Sequence, residues 1–177
     1  MVAGGIDVME ITFRTAAAPE AIKAVAENCP DMLVGAGTVT SPELVQMAAD
    51  AGALYIISPD TDVEVIKKTR ELGLVSMPGA YTATEAKQAH VAGADFVKLF
   101  PAGTQGTAYF KAVTAPLNHI RLLAVGGVNE KNIADFMAAG AVGAGVGGNL
   151  VNKTWIANGE FDKITALAKE FTEKAGV

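Results

Sequence analysis

Short apolar runs and helical stretches alternate along this chain, separated by turns rich in Gly, Pro, Ser and Thr. The apolar runs at 7–13, 33–39, 54–58, 74–78, 96–100, 122–125 and 141–146 predict strands. They recur roughly every 20 to 27 residues, the size of one βα unit. Most are apolar on both faces, as strands of a helix-covered parallel sheet are. Ser41-Pro42-Glu43-Leu44 reads as a helix start, with serine as cap and proline in the first turn. Thr82-Ala83-Thr84-Glu85 and Asn129-Glu130-Lys131-Asn132 read the same way. Ala51-Gly52-Ala53, Ala92-Gly93-Ala94 and Ala139-Gly140-Ala141 read as helix ends, where glycine takes the left-handed conformation.

No linker or low-complexity stretch divides the pattern, so one domain is expected over 1–177. Consecutive βα units without a long crossover favour a closed α/β barrel over an open doubly wound sheet. A (β/α)8 TIM barrel has eight strands, and seven are visible in this sequence. Met1-Val2-Ala3-Gly4-Gly5-Ile6 reads as the tail of a helix running into a strand. The expectation is therefore a TIM barrel without its first strand and most of its first helix. A truncated chain and a seven-stranded barrel with a plugged gap are the alternatives.

Composition narrows the function classes. Half of the 177 residues are hydrophobic and the net charge is -5. No dense Lys/Arg block appears, which argues against a nucleic-acid partner. An anionic ligand would have to be held by local devices, not by the global field. Cys29 is the single cysteine, so no intrachain disulfide forms, and a reducing cytoplasm fits. No run is long and apolar enough to span a membrane, and no secretion signal is recognisable. The carboxylates and histidines do not cluster, so no metal site and no cofactor are expected. His90 and His119 read as exposed, Trp155 as packing, and Met32, Met47, Met77 and Met137 as core filler.

The candidate chemistry centres on one lysine. Lys98 lies inside the apolar run Asp95-Phe96-Val97-Lys98-Leu99-Phe100-Pro101. Burial disfavours the ammonium, lowers the pKa and frees an amine that attacks carbonyl carbon. The plainer reading is a lysine that snorkels to water or meets a carboxylate. On the first predicted strand, period-two geometry puts Glu10, Thr12 and Arg14 on one face, the lumen of a barrel. Charges there are costly unless paired with each other or functional. The second strand ends in Gly35-Ala36-Gly37-Thr38, where glycine permits close ligand approach and Thr38 offers a hydroxyl to a carboxylate. Strand-end Ser58 also lies where it can reach a ligand, and Asp60 or Asp62 can cap the next helix. The last two strands end in Gly126-Gly127-Val128-Asn129 and Gly145-Val146-Gly147-Gly148-Asn149. In a barrel such loops commonly hold phosphate on backbone N–H groups; alternatively the glycines only make tight turns.

With those residues assembled, the chain resembles the 2-keto-3-deoxy-6-phosphogluconate (KDPG) / 4-hydroxy-2-oxoglutarate (KHG) aldolase family. The matching stretches are Val8-Met9-Glu10-Ile11-Thr12-Phe13-Arg14-Thr15, Gly35-Ala36-Gly37-Thr38-Val39, Ile57-Ser58-Pro59, Pro78-Gly79, Val97-Lys98-Leu99-Phe100-Pro101 and Gly126-Gly127-Val128. The resemblance implies a metal-free, cytoplasmic lyase on a βα barrel, commonly a homotrimer, with a phosphorylated keto acid and pyruvate as its small-molecule partners. It implies Lys98 as the Schiff-base residue, Glu10 as the proton carrier, and Arg14 and Thr38 on the pyruvyl carboxylate. It implies Gly126, Gly127, Gly147, Gly148 and the adjoining Asn149 at the phosphate. The family's gluconate members often carry serine at Asn149, glutamate at Gly103 and glycine at Asp60. Tyr81-Thr82-Ala83-Thr84-Glu85 is closer to the phosphogalactonate branch. The competing readings are a phosphogalactonate or 4-hydroxy-2-oxoglutarate aldolase, a phosphosugar epimerase, and a non-catalytic phosphosugar-binding barrel.

Overall fold

The computed structural model describes residues 1–177. A short 3-10 turn, Val2–Gly4, leads into alternating strands and helices. They are β1 Val8–Thr12, α1 Ala18–Asn28, β2 Leu33–Gly37, α2 Pro42–Asp50, β3 Tyr55–Ile57 and α3 Val63–Glu71. Next come β4 Val75–Met77, β5 Gly79–Ala80, α4 Ala83–Val91, β6 Val97–Leu99, α5 Ala102–Thr114 and β7 Leu122–Val125. The chain finishes with α6 Ile133–Ala138, β8 Gly143–Gly145, α7 Lys153–Ala157 and α8 Phe161–Ala175. No helix is long and apolar enough to cross a membrane.

Every predicted strand position is occupied. Pairing is parallel throughout, in the orders β1-β2-β3-β4 and β5-β6-β7-β8. β4 and β5 are two halves of one strand position, divided at Pro78, which has no N–H to give to a ladder. The Pro78 carbonyl still accepts a hydrogen bond from the Lys98 amide at 2.9 Å.

The expected closure into a ring is corrected by the pairing. β1 pairs only with β2, and β8 only with β7. The strands make an open parallel wall, and its inner face is only partly enclosed. Val8 and Leu33, paired side by side at the lower end of that face, are each 49% exposed.

Local chemistry places the helices. The Ser41 hydroxyl accepts from the Leu44 amide, and Pro42 opens α2. Thr82 and Glu85 form a reciprocal capping box at α4. Asp62, not Asp60, caps α3 by accepting from the Glu64 and Val65 amides. The third expected start is displaced: α6 begins at Ile133 with Asn132 before it, and Asn129 organises the preceding turn by accepting from the Lys131 amide. Gly52, Gly93 and Gly140 all adopt positive φ just after a helix.

The core lies between strands and helices. Ile22, Val34, Val45, Ile56 and Val65 fill it beneath α1 to α3. Leu99, Phe110, Leu122, Phe136 and Phe171 fill it on the other half. Met32 is buried, but Met47 is exposed, contrary to its expected core role. His90 and His119 are exposed as expected, with their rings edge to face at 5.3 Å.

Phe110 and Phe136 pack edge to face at 5.7 Å, both almost fully buried. Phe110→Ala removes that pair and leaves a cavity, so a loss of about 3–5 kcal/mol in unfolding free energy is expected by denaturant titration.

Candidate active site

The inner face of the wall follows from register. Glu10 lies beside Gly35, and Thr12 beside Gly37. Ala36 lies beside Ile56, so the row of Glu10 and Gly35 continues to Tyr55. Across the wall, Gly79 lies beside Lys98, and Lys98 beside Leu123. Side chains at these positions all project to the inner side.

β2 has no side chains on this face at Gly35 and Gly37, and its neighbours use the space. A Cβ on Gly37 would lie 1.6 Å from Glu10 Oε1. A Cβ on Gly35 would lie 2.2 Å from the Tyr55 ring. Glycine is therefore sterically required at both positions: Glu10 crosses β2 above, and Tyr55 lies over it below.

Lys98 is 7% exposed. No carboxylate lies within salt-bridge distance of its Nζ, which sits 4.6 Å from the centroid of the Phe100 ring. Burial lowers its pKa, while the charges of Glu10 and, to a smaller extent, Asp60 act in the opposite direction. Glu10 is exposed, yet enough protein surrounds its carboxyl for desolvation to raise its pKa, against the opposing pull of Lys98. The two groups face each other as a shielded amine and a carboxyl held toward its neutral form.

The upper rim adds further groups. The Phe13 amide donates to the Gly37 carbonyl at 2.8 Å, which keeps the ends of β1 and β2 together. Arg14 and Thr38 follow on those two adjacent strand ends. Arg14 is exposed and has no ion pair, so the alternative Glu10–Arg14 bridge is not formed. Thr38 has φ of 57°, an uncommon conformation for a β-branched residue and one that accompanies functional constraint. Ser58 is buried below the rim. The loop carrying Asp60 is pressed onto Gly79: the Gly79 amide donates to the Asp60 carbonyl at 3.1 Å, and the Thr61 hydroxyl donates to the Gly79 carbonyl at 2.7 Å.

The glycine loops lie beyond β7 and β8. The Gly103 amide donates to the Gly126 carbonyl at 2.7 Å. A Cβ on Gly126 would come within 2.9 Å of the Phe100 ring, so the lysine strand and the first loop are in direct contact. Gly126 and Gly127 both have positive φ. Gly147 and Gly148 are exposed, with open space where a Cβ would point. Asn149 donates its side-chain amide to the Val128 carbonyl at 2.9 Å, and Asn132 donates to the Gly127 carbonyl at 3.0 Å. Asn149 thereby straps one glycine loop to the other. No group of three or more His, Cys, Asp or Glu side chains is placed to hold a metal ion.

Two neighbours of the Lys98–Glu10 pair, Tyr55 and Phe100, are not among the residues expected from the sequence. Tyr55 required the register between strands, which alone puts it in one lateral row with Gly35 and Glu10. The signal for Phe100 was available: it lies two residues after Lys98, and its amide continues the ladder by donating to the Ala80 carbonyl at 3.0 Å, so alternation puts it on the same side as Lys98.

The chain is similar over nearly its whole length to known aldolases. A family model described as KDPG and KHG aldolase matches residues 1–167. A 2-dehydro-3-deoxy-phosphogluconate aldolase of Treponema pallidum is 38% identical, over 100% of this chain and 85% of that protein. A structure titled "Native KDPGal structure" superposes with a TM-score of 0.90 at 35% identity, covering 98% of this chain and 83% of that one. KDPG aldolase from Legionella pneumophila, captured with pyruvate as a covalent carbinolamine intermediate, gives a TM-score of 0.85 at 30% identity, covering 95% and 82%.

Competitive labelling of the amines across pH, read by peptide mass spectrometry, is expected to give Lys98 a lower apparent pKa than the exposed lysines. Glu10→Gln removes a charge that favours the ammonium, so the Lys98 pKa is expected to fall further, not rise.

Proposed function

The chain belongs to the KDPG and KHG aldolase family, and on that premise we propose that it reversibly cleaves a 2-keto-3-deoxy-6-phospho sugar acid through a Schiff base on Lys98. The observation that carries this reading is the buried, unpaired Lys98 amine facing Glu10 across the inner wall.

The neutral Lys98 amine attacks the C2 ketone, and loss of water from the carbinolamine gives an iminium. This cation accepts the electron pair of the C3–C4 bond as the C4 hydroxyl loses its proton. An aldehyde departs and an enamine remains. Protonation at C3 followed by hydrolysis of the iminium releases pyruvate and restores the amine. Glu10, held toward its neutral form and exposed to solvent, carries protons between the hydroxyls, water and the enamine carbon. Arg14 holds the keto-acid carboxylate with its two-pronged guanidinium, and Thr38 adds a hydroxyl from the adjacent strand end. The amides of Gly126, Gly127, Gly147 and Gly148 face the phosphate, with Asn149 fixing the distance between their loops. With a phosphogluconate-type substrate the aldehyde is glyceraldehyde 3-phosphate.

The same reading takes residues 1–177 as one domain and the open wall as part of a βα barrel. It takes the chain as a cytoplasmic enzyme, since a multiply charged substrate does not cross a bilayer unaided, and as a homotrimer. Support for self-association comes from a 34% identical structure, a cage designed by fusing symmetric oligomeric domains. A phosphogalactonate-type substrate is the second reading, supported by the likeness to the KDPGal structure and by the Tyr81–Glu85 stretch.

Borohydride reduction in the presence of pyruvate is expected to add the reduced pyruvyl group to Lys98, located by peptide mass spectrometry. Lys98→Ala is expected to lose both adduct and cleavage; normal cleavage by that variant overturns the assignment. Arg14→Ala is expected to raise the KM for the keto acid by about 10- to 100-fold, with a smaller change in kcat.

A further inference from the structure

Tyr55 stands in the floor of this site with no role in the chemistry described above. It is 5% exposed. Its ring lies over Gly35, in the lateral row that ends at Glu10. Gly35 and Gly37 together leave β2 bare on its inner face, so the side chains of β1 and β3 approach each other over that strand. No side-chain or backbone group in the structure forms a hydrogen bond with the Tyr55 hydroxyl, whereas the Tyr109 hydroxyl donates to the Tyr81 carbonyl at 2.9 Å. The Tyr55 ring is buried, but its hydroxyl oxygen is not closed off from solvent, so a water molecule can reach it.

We propose that Tyr55 is a positioning residue for Glu10: its hydroxyl points across the bare segment of β2 and donates to the Glu10 carboxylate through one ordered water. The inference deepens the proposed aldol cleavage and rests on Glu10 being its proton carrier. Donation to the ionised form stabilises it and keeps the carboxyl from drifting too far toward its neutral state. Charge accounting agrees with that arrangement. The Tyr55 hydroxyl is held well above the usual phenol range, first by burial and then by the nearby Glu10 charge, so it stays protonated and able to donate.

The other groups facing Glu10 are few. Lys98 faces it from β6, Asp60 lies on the loop after β3, and Arg14 lies in the turn that follows β1. The inner positions of β2, β7 and β8 are Gly35, Gly37, Leu123, Val125, Gly143 and Gly145, none of which carries a charge. Two neutral hydroxyls therefore share this face with Glu10: Thr12 on its own strand, and Tyr55 across β2 with only a glycine between them.

The test is Tyr55→Phe, which keeps the ring over Gly35 and removes only the hydroxyl. The Glu10 carboxyl is followed by carbon NMR titration in both proteins, with Glu10→Gln used to assign the resonance. Loss of the donor is expected to raise the Glu10 pKa by about half a pH unit or more. The acid limb of kcat/KM is expected to move up by the same amount, while Lys98 still forms its adduct with pyruvate. In a Glu10→Gln background, Tyr55→Phe is expected to have no further effect on kcat/KM. An unchanged Glu10 titration in a normally folded Tyr55→Phe protein overturns the proposal, as does an undiminished kinetic effect in the Glu10→Gln background. Failure of wild-type protein to form the Lys98 adduct is a different result: it removes the aldolase reading, while the titration still decides whether Tyr55 is linked to Glu10.

Discussion

The site depends on an amine taken out of water without a counter-ion. An isolated buried ammonium is expensive, and a lysine in that position relieves the cost by releasing its proton. Lys98 sits at mid-strand in β6, between Gly79 of β5 and Leu123 of β7. Glycine on one side and leucine on the other supply no ion-pair partner, and the nearest aromatic neighbour is the face of Phe100. Glu10 is close enough to pull the lysine toward its charged form, yet burial remains the larger influence on both groups. Each group is displaced toward neutrality, as reversible proton traffic requires.

The surrounding glycines serve that arrangement at distinct points. Those of β2 give Glu10 and Tyr55 room to lie across a neighbouring strand. Gly79 lets the Asp60 loop press onto the strand beside Lys98. Gly103 and Gly126 put the loop after β6 against the loop after β7, so the strand carrying Lys98 and the candidate phosphate loop form one connected surface. A substrate spanning both would have its keto group and its phosphate fixed relative to each other by backbone contacts, which are stiffer than side-chain tethers.

Much of the fold was legible because parallel strands and helix caps leave local marks. The apolar runs located each strand position, and Gly52, Gly93 and Gly140 marked helix ends through their left-handed backbone. Ser41, Asp62 and Thr82 declared helix starts through side-chain oxygen. Closure was not legible, because pairing between the outermost strands is a non-local property; here β1 and β8 do not pair. The division of the fourth strand position at Pro78 followed from a missing N–H, a detail that hydrophobic patterning does not record.

For the site, period-two alternation placed Glu10 and Thr12 on the inner face and drew attention to Lys98. Alternation within one strand is blind to register between strands. The approach of Glu10 over Gly37, and of Tyr55 over Gly35, appears only when three strands are aligned. The same limit hid the strap from Asn149 to Val128, whose bond spans 21 residues. The central claim, that Lys98 is the group joined to substrate, is tested most directly by a crystal structure of the protein soaked with pyruvate. The account predicts continuous electron density from Lys98 Nζ to C2 of the ligand, with the carboxylate toward Arg14 and Thr38. An unmodified Nζ, with pyruvate bound away from the inner face, would contradict it.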